Sequence, residues 1–409
     1  MKDAGAPIRV GLDGHAVGRR QAGNETYVLG LGTALAAHSD VEPTVYIDEH
    51  AAWPGDLHPA PATRPLRSRR AQVRVALELP LRAARDRLDV LHLQYVTPPI
   101  SSVPIVTTIH DVSYLDLPTT FPARRRWRLR ASVRHAIGRS AVLITPSAFS
   151  RERLLAHYSV DPARVVVAPP VVALPAIERL VTEAAAGAPA PGDPSGPGAD
   201  LPSTFVLAVG DLHARKNLPR LIEAVGRVRS SGLDLHLVLA GQPGFRGDEV
   251  SSAIDRHAAA AWTHRLGYVE AALLQCLYRA ASAVGYVSLY EGFGLPVVEA
   301  MAAGTPVVAS RTSSITEVAG DAALLVDPSD IEAIAAALTS AITDDAVRRR
   351  LVEGGRRRAA AFSGPEAIEP TINAYRLALD MGIERPIRDV TPERVPLRQG
   401  HPPEHEVHA

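Results

Sequence analysis

Two glutamates, Glu291 and Glu299, with seven residues between them, frame the stretch YEGFGLPVVEAMAAGTP from Tyr290 to Pro306. The run before it, Ala283 to Ser288, is small, apolar and β-branched and reads as a buried strand. Pro296 suits the first turn of a helix, where its missing N–H costs nothing, and Gly304 suits the stop. Thr305 to Ala309 then reads as the next strand. Strand, glycine turn and helix start gather backbone N–H groups around one point. The partial positive charge of a helix N-terminus makes such a point an anion site. Glu291 precedes the donors and Glu299 lies one turn inside the helix, so the spacing predicts that both border one cleft. Carboxylates there would accept hydrogen bonds from sugar hydroxyls beside a bound phosphate ester. Either glutamate alone is an ordinary solvated side chain; the whole constellation points to a site.

A second charged pair, Arg215 and Lys216, lies in GDLHARKNL, directly after the apolar strand Phe205 to Val209. A forked guanidinium beside a compact ammonium suits a diphosphate. Charge developing on a leaving nucleoside diphosphate needs such stabilisation when no metal supplies it. Simple solvation of a helix start is the alternative, but lysine occurs in this chain only at Lys2 and Lys216, every other basic residue being arginine. His110 and Asp111 follow the strand Ile105 to Ile109, at the carboxyl end where parallel sheets collect ligands. A lone strand-end histidine is otherwise a structural hydrogen-bonding residue. His92, in LDVLHLQYVTPP, also ends a strand and is placed, with Asp111, on the acceptor side.

The stretch EGFGLPVVEAMAAGTPVV resembles the E-x7-E signature of the family 4 retaining glycosyltransferases, and GDLHARKNL resembles that family's G-x-L-x-x-R-K-N segment. The resemblance runs from about Ile8 to about Asp380 and is most specific between Gly210 and Pro306. It implies a GT-B fold, two Rossmann-like α/β domains facing each other across a cleft, with a sugar nucleotide held mostly by the second. By the same resemblance Glu291 lies by the donor sugar, Glu299 holds the ribose, and the amides of Gly292, Phe293, Gly294 and Leu295 meet sugar and diphosphate. TIHDVSYLDLP is similar to the segment whose histidine, here His110, reaches the donor sugar. A glycine-containing loop with a following tyrosine, here Gly23 and Tyr27, would face the phosphates. Gly210, Gly241 and Tyr268 fall where relatives border the nucleotide, Tyr268 within a short strand expected at Leu266 to Val269.

With 409 residues, 46% of them hydrophobic and 22% charged, the chain is an ordinary globular protein of two domains. Lysine plus arginine and aspartate plus glutamate balance at 44 each, which gives no bulk attraction to nucleic acid. Cys276, the only cysteine, excludes an intrachain disulfide or a multi-cysteine zinc site. No apolar run reaches membrane-spanning length and no secretory signal is read, so a cytoplasmic protein is expected. The expected organisation is a first domain over 1–172, a linker over 173–202, a second domain over 203–364, a helix over 365–381 returning to the first domain, and a disordered tail over 385–409. Helical patterns are expected at Ala71 to Leu88 and Pro122 to Ile137. The arginine-rich stretches Arg67–Arg74 and Arg124–Arg134, the latter with Trp127, read as solvated helix faces or as contacts to an anionic membrane surface. Glu317 is expected to be structural.

The expected reaction is transfer of a hexose from a nucleotide sugar to a hydroxyl of a glycan, lipid-linked or small-molecule acceptor, with retention and without metal or other cofactor. The resemblance to mannosyltransferase-like members favours GDP-mannose over UDP-glucose. A nucleotide-sugar epimerase, a phosphorylase or an inactive sugar-nucleotide-binding protein of the same fold are the alternatives. A nicotinamide oxidoreductase is disfavoured because no G-x-G-x-x-G follows the first strand.

Overall fold

The computed structural model describes residues 6–19, 22–68, 70–172 and 201–383. Residues 173–200 of the expected linker over 173–202, and the expected tail over 385–409, lie outside the described residues. Short apolar strands alternating with amphipathic helices build two wholly parallel sheets. The first contains β1 (Ile8–Asp13), β2 (Val41–Asp48), β3 (Ala62–Leu66), β4 (Val90–Gln94), β5 (Ile105–Thr108), β6 (Val142–Thr145) and β7 (Val165–Val167), in the order β3-β2-β1-β4-β5-β6-β7. The second contains β8 (Phe205–Val209), β9 (His236–Ala240), β10 (Thr263–Gly267), β11 (Ala283–Tyr286), β12 (Val307–Ser310) and β13 (Leu324–Val326), in the order β10-β9-β8-β11-β12-β13.

In both sheets the chain builds outward to one side, then returns past its first strand to build the other. The reversal leaves a crevice at the carboxyl ends of β1 and β4 in one domain and of β8 and β11 in the other. Arg215 and Lys216 follow β8, and Glu291 follows β11, so the second domain's reversal point brings these three side chains to one place.

Right-handed crossovers fix which face each helix covers. The links β3→β4 and β5→β6 cross in the same direction, so the segment 71–85 and the helix Ala123–Arg139 lie on one face of the first sheet. The helix Ala22–Ala36 covers the other face. The helix Pro365–Met381 joins it there, burying Ile368, Ile372 and Tyr375 with Val10, Val28 and Val106.

Several local expectations are corrected. The segment 71–85 is not one α-helix: a π-helical turn, Arg74–Glu78, separates Ala71–Val73 from Leu79–Arg85. Pro80 has no N–H for the α ladder, and the wider turn precedes it. The strand expected at 266–269 is displaced to Thr263–Gly267, which leaves Tyr268 beyond its end. β3 escaped notice because it is short and mostly exposed, with Pro65 tolerated on an edge strand. The polar stretch after β9 contains the helix Asp248–Arg256.

Candidate functional site

The loop after β8 is held by its asparagine. Asn217 is buried with left-handed φ 57°, and its side-chain amide donates to the carbonyls of Val287 (3.0 Å) and Pro328 (2.7 Å). The Leu289 N–H adds a bond to the Arg215 carbonyl at 2.8 Å. The loops after β8 and β11 are thereby locked together, and their charges meet. Arg215 Nη1 donates to Glu291 Oε2 at 2.6 Å, and Lys216 Nζ lies 2.8 Å from Glu291 Oε1. Lys216 also donates to the Tyr286 hydroxyl at 2.7 Å. Burial raises the Glu291 carboxyl, but Arg215 and then Lys216 outweigh it and hold it at about 2. One carboxylate thus serves two cations. The helix Leu295–Ala302 begins beside them, after Gly294 at φ 103°. Glu299 is buried within it and accepts the Tyr278 hydroxyl at 2.7 Å. Burial raises its pKa.

The first domain supplies the facing wall. His110 donates through Nε2 to Gln94 Oε1 at 2.7 Å, and its ring is flanked edge-on by Tyr27 (centroids 4.7 Å apart) and obliquely by Tyr95 (5.6 Å). Burial lowers its pKa to about 4, so the imidazole is neutral at physiological pH. With Nε2 donating, Nδ1 is left as the acceptor.

These walls enclose a cavity of about 790 Å³ between the domains. It is lined by Gly23, His110 and Asp111 from the first domain, and by Gly210, Arg215, Lys216, Glu291, the 292–295 turn and Glu299 from the second. The cationic pair and the 292–295 turn therefore share one space. Three expected residues do not line it. His92 is buried behind it, with Nε2 2.8 Å from Thr108 Oγ1 and Nδ1 2.7 Å from the Tyr375 hydroxyl, so it is a core residue rather than an acceptor-side one. Gly241 packs behind Gly210: a Cβ there would sit 2.0 Å from the Gly210 carbonyl oxygen. Tyr268 stands past the end of β10, outside the lining.

The residues missed are as telling. Gln94, the last residue of β4, holds His110, and Tyr95, the next residue, lines the cavity; they stand two and three positions after His92, so the strand-end rule pointed to the right segment and stopped short. Phe121, Arg125, His213 and Phe245 also line the cavity. No local spacing marks them, although His213 lies inside the GDLHARKNL segment.

The family model for Glycosyltransferase Family 4 matches residues 22–174, and that for Glycosyl transferases group 1 matches residues 194–358. O-antigen chain mannosyltransferase B of Escherichia coli is 32% identical over 282 residues, covering 66% of this chain and 70% of that protein. The chain belongs to the family 4, group 1 glycosyltransferases. MMP alpha-(1->4)-mannosyltransferase of Mycolicibacterium hassiacum is 28% identical, over 68% of this chain and 66% of its own length. Sucrose-phosphate synthase from Thermosynechococcus elongatus shares the fold, with a TM-score of 0.67 over 90% of this chain and 98% of that one at 22% identity. The fold is GT-B, as the motifs implied.

In this glycosyltransferase the two domains touch through the site itself. Ser147 and Ser150 of the first domain donate to the Gly292 carbonyl at 2.7 and 3.0 Å. Glu317 of the second accepts the Ala148 and Phe149 N–H groups at 2.9 and 3.2 Å, capping the helix Ala148–His157 from across the boundary. Glu317 is structural, but between domains rather than within one. Such a carboxylate at a helix N-terminus contributes about 1 kcal/mol. Closure and ligand binding are linked, so Glu317→Ala is expected to weaken nucleotide binding by about fivefold. Calorimetric titration of the nucleotide checks this, and an unchanged Kd would remove Glu317 from the closing contact.

Proposed function

We propose that this glycosyltransferase moves mannose from GDP-mannose to a hydroxyl acceptor, with retention of anomeric configuration and without a metal ion. The observation that carries the reading is the convergence of Arg215, Lys216, Glu291 and the 292–295 turn on one cavity faced by His110. Arg215, Lys216 and the turn amides would stabilise the leaving diphosphate as its charge develops. Glu291 and His110 would orient the sugar, His110 accepting a hydroxyl proton at Nδ1, and Glu299 would hold the ribose. The mannosyltransferase relatives support the choice of sugar. The test is a panel of nucleotide sugars with EDTA present, read by thermal stabilisation and by turnover with mono- and disaccharide acceptors. GDP-mannose should stabilise most and be turned over, and NMR of the product should show an α-linkage from the α-donor. Epimerised donor in the absence of acceptor, phosphorolysis, or binding without turnover would each replace the transfer reading.

We also propose that the face of the first domain carrying segment 71–85 and the helix Ala123–Arg139 rests on an anionic lipid surface. Val73, Leu77 and Leu81 recur every four residues and are 41%, 59% and 69% exposed, and Trp127 on the same face is 71% exposed. Exposed Arg85, Arg124 and Arg128 belong to the same two segments, and exposed Arg70 immediately precedes the first. Apolar side chains ringed by arginines complement a negatively charged interface. No helix among the described residues is long and apolar enough to cross a membrane. Sedimentation with phosphatidylglycerol vesicles should capture the protein, and Leu77→Ser with Leu81→Ser should release most of it. Equal capture of both proteins would refute this contact.

A further inference from the structure

The residues assigned to the donor occupy only part of the cavity. Beyond them it continues between Phe121 and Arg125 of the first domain and His213 and Phe245 of the second. The rings of Phe121 and His213 approach to 5.3 Å across the domain boundary, and His213 lies 6.1 Å from Phe245. The three rings form an apolar-faced end to the cleft, the kind of surface on which the C–H face of a sugar ring rests. Arg125 Cζ stands 5.9 Å from the Phe121 ring centroid.

Charge separates this end from the donor end. Arg215 and Lys216 share the Glu291 carboxylate, whereas among the described residues no carboxylate is within ion-pair distance of Arg125. His213 does not add a charge of its own. Burial first, then Arg215 and Arg125, lower its pKa to about 4. Nδ1 of His213 accepts the Arg215 N–H at 3.3 Å, so the neutral ring connects the aromatic end to the donor cations. An exposed guanidinium at the mouth of a cleft, over an aromatic ring and without a protein counter-ion, is arranged for an oxyanion brought by a ligand.

We infer that the Phe121–Arg125–His213–Phe245 end of the cleft is the acceptor subsite, and that the acceptor is a saccharide carrying an oxyanion, phosphate or carboxylate, that pairs with Arg125. This rests on the transfer reading above and adds the class of the acceptor. The ring stacks between Phe121 and Phe245, and the oxyanion engages the guanidinium fork. The pairing would fix which hydroxyl of the acceptor is turned toward the donor sugar at Glu291 and His110.

The test uses the full chain loaded with GDP, titrated with methyl α-mannoside, mannose 6-phosphate and methyl glucuronide. Loss of a charge-assisted bond is worth about tenfold or more in affinity. Mannose 6-phosphate, methyl glucuronide or both should therefore bind about tenfold more tightly than the neutral glycoside, and Arg125→Gln should erase that margin. Which anionic probe gains identifies phosphate or carboxylate as the partner. Phe121→Ala should weaken charged and neutral probes alike. Equal affinity for all three sugars, no sugar binding to the GDP-loaded protein, or a margin that survives Arg125→Gln would overturn the assignment. The GDP titration itself separates the two readings: failure to bind any nucleotide would fall on the donor site, not on this subsite.

Discussion

Lys216→Ala and Arg215→Ala each lower kcat/KM for the nucleotide sugar by about 10²–10³-fold, the scale seen when a preorganised donor to developing charge is removed. The loss is expected chiefly in kcat. The leaving diphosphate gains charge on the way to the transition state, so an ammonium and a guanidinium held beside it matter more there than in the ground state. Both cations are fixed before the substrate arrives, Arg215 by Glu291 and the Tyr290 carbonyl, Lys216 by Glu291 and the Tyr286 hydroxyl. Lys216→Arg should not restore the rate. A planar fork cannot replace a compact ammonium between the Tyr286 hydroxyl and Glu291. Steady-state kinetics, with thermal unfolding alongside to confirm folding, measures the effect. Near wild-type turnover in both alanine variants would mean that the diphosphate is stabilised elsewhere.

Gly292→Ala is the second large effect, and it is steric. A Cβ at this position would stand 2.1 Å from the His110 carbonyl oxygen and 2.9 Å from Asp111 Cβ, closer than packed atoms allow. The loop after β11 and the loop after β5 would have to separate, although each domain's core is untouched. Displacement of about 1 Å in a catalytic constellation is enough for about 10²-fold in rate. The variant should therefore keep its unfolding temperature, show a larger radius of gyration in small-angle scattering, and lose about 10²-fold in kcat/KM. A fully active Gly292→Ala protein would show that the contact between Gly292 and His110 is not maintained during turnover.

The parallel sheets and the gathering of Glu291, Arg215, Lys216 and His110 on one cleft were legible because both obey local rules. Apolar runs ending in polar loops give strands, and a parallel sheet gathers at one edge the residues just past its strands' carboxyl ends. Glu291, Arg215, Lys216 and His110 were found in that way. His92 misled because it lies one pleat earlier on the same strand as Gln94, where the side chain meets the helix Pro365–Met381 instead of the cleft. Tyr268 misled through a boundary displaced by a few residues. Arg125 was read as part of a solvated or lipid-facing helix and Phe121 was not singled out, because nothing in their spacing tells which residues of the first domain meet His213 and Phe245. Contacts between domains depend on how two completed surfaces approach, and no periodic pattern records that. The glycine at 292 was noted for its turn, while its closest neighbour proved to be a carbonyl more than 180 residues earlier in the chain.

The bond from Tyr375 to His92 continues through Thr108 to Tyr27, whose ring braces His110. The wall of the cleft contributed by the first domain is thus completed by a segment that emerges only after the whole second domain. Until residues 365–381 are made, Val10, Val28 and Val106 lack the covering that buries them. The nascent first half must wait, partly uncovered, while the entire second half is translated. Assembly of the cleft is for that reason tied to completion of the second domain and the helix that follows it.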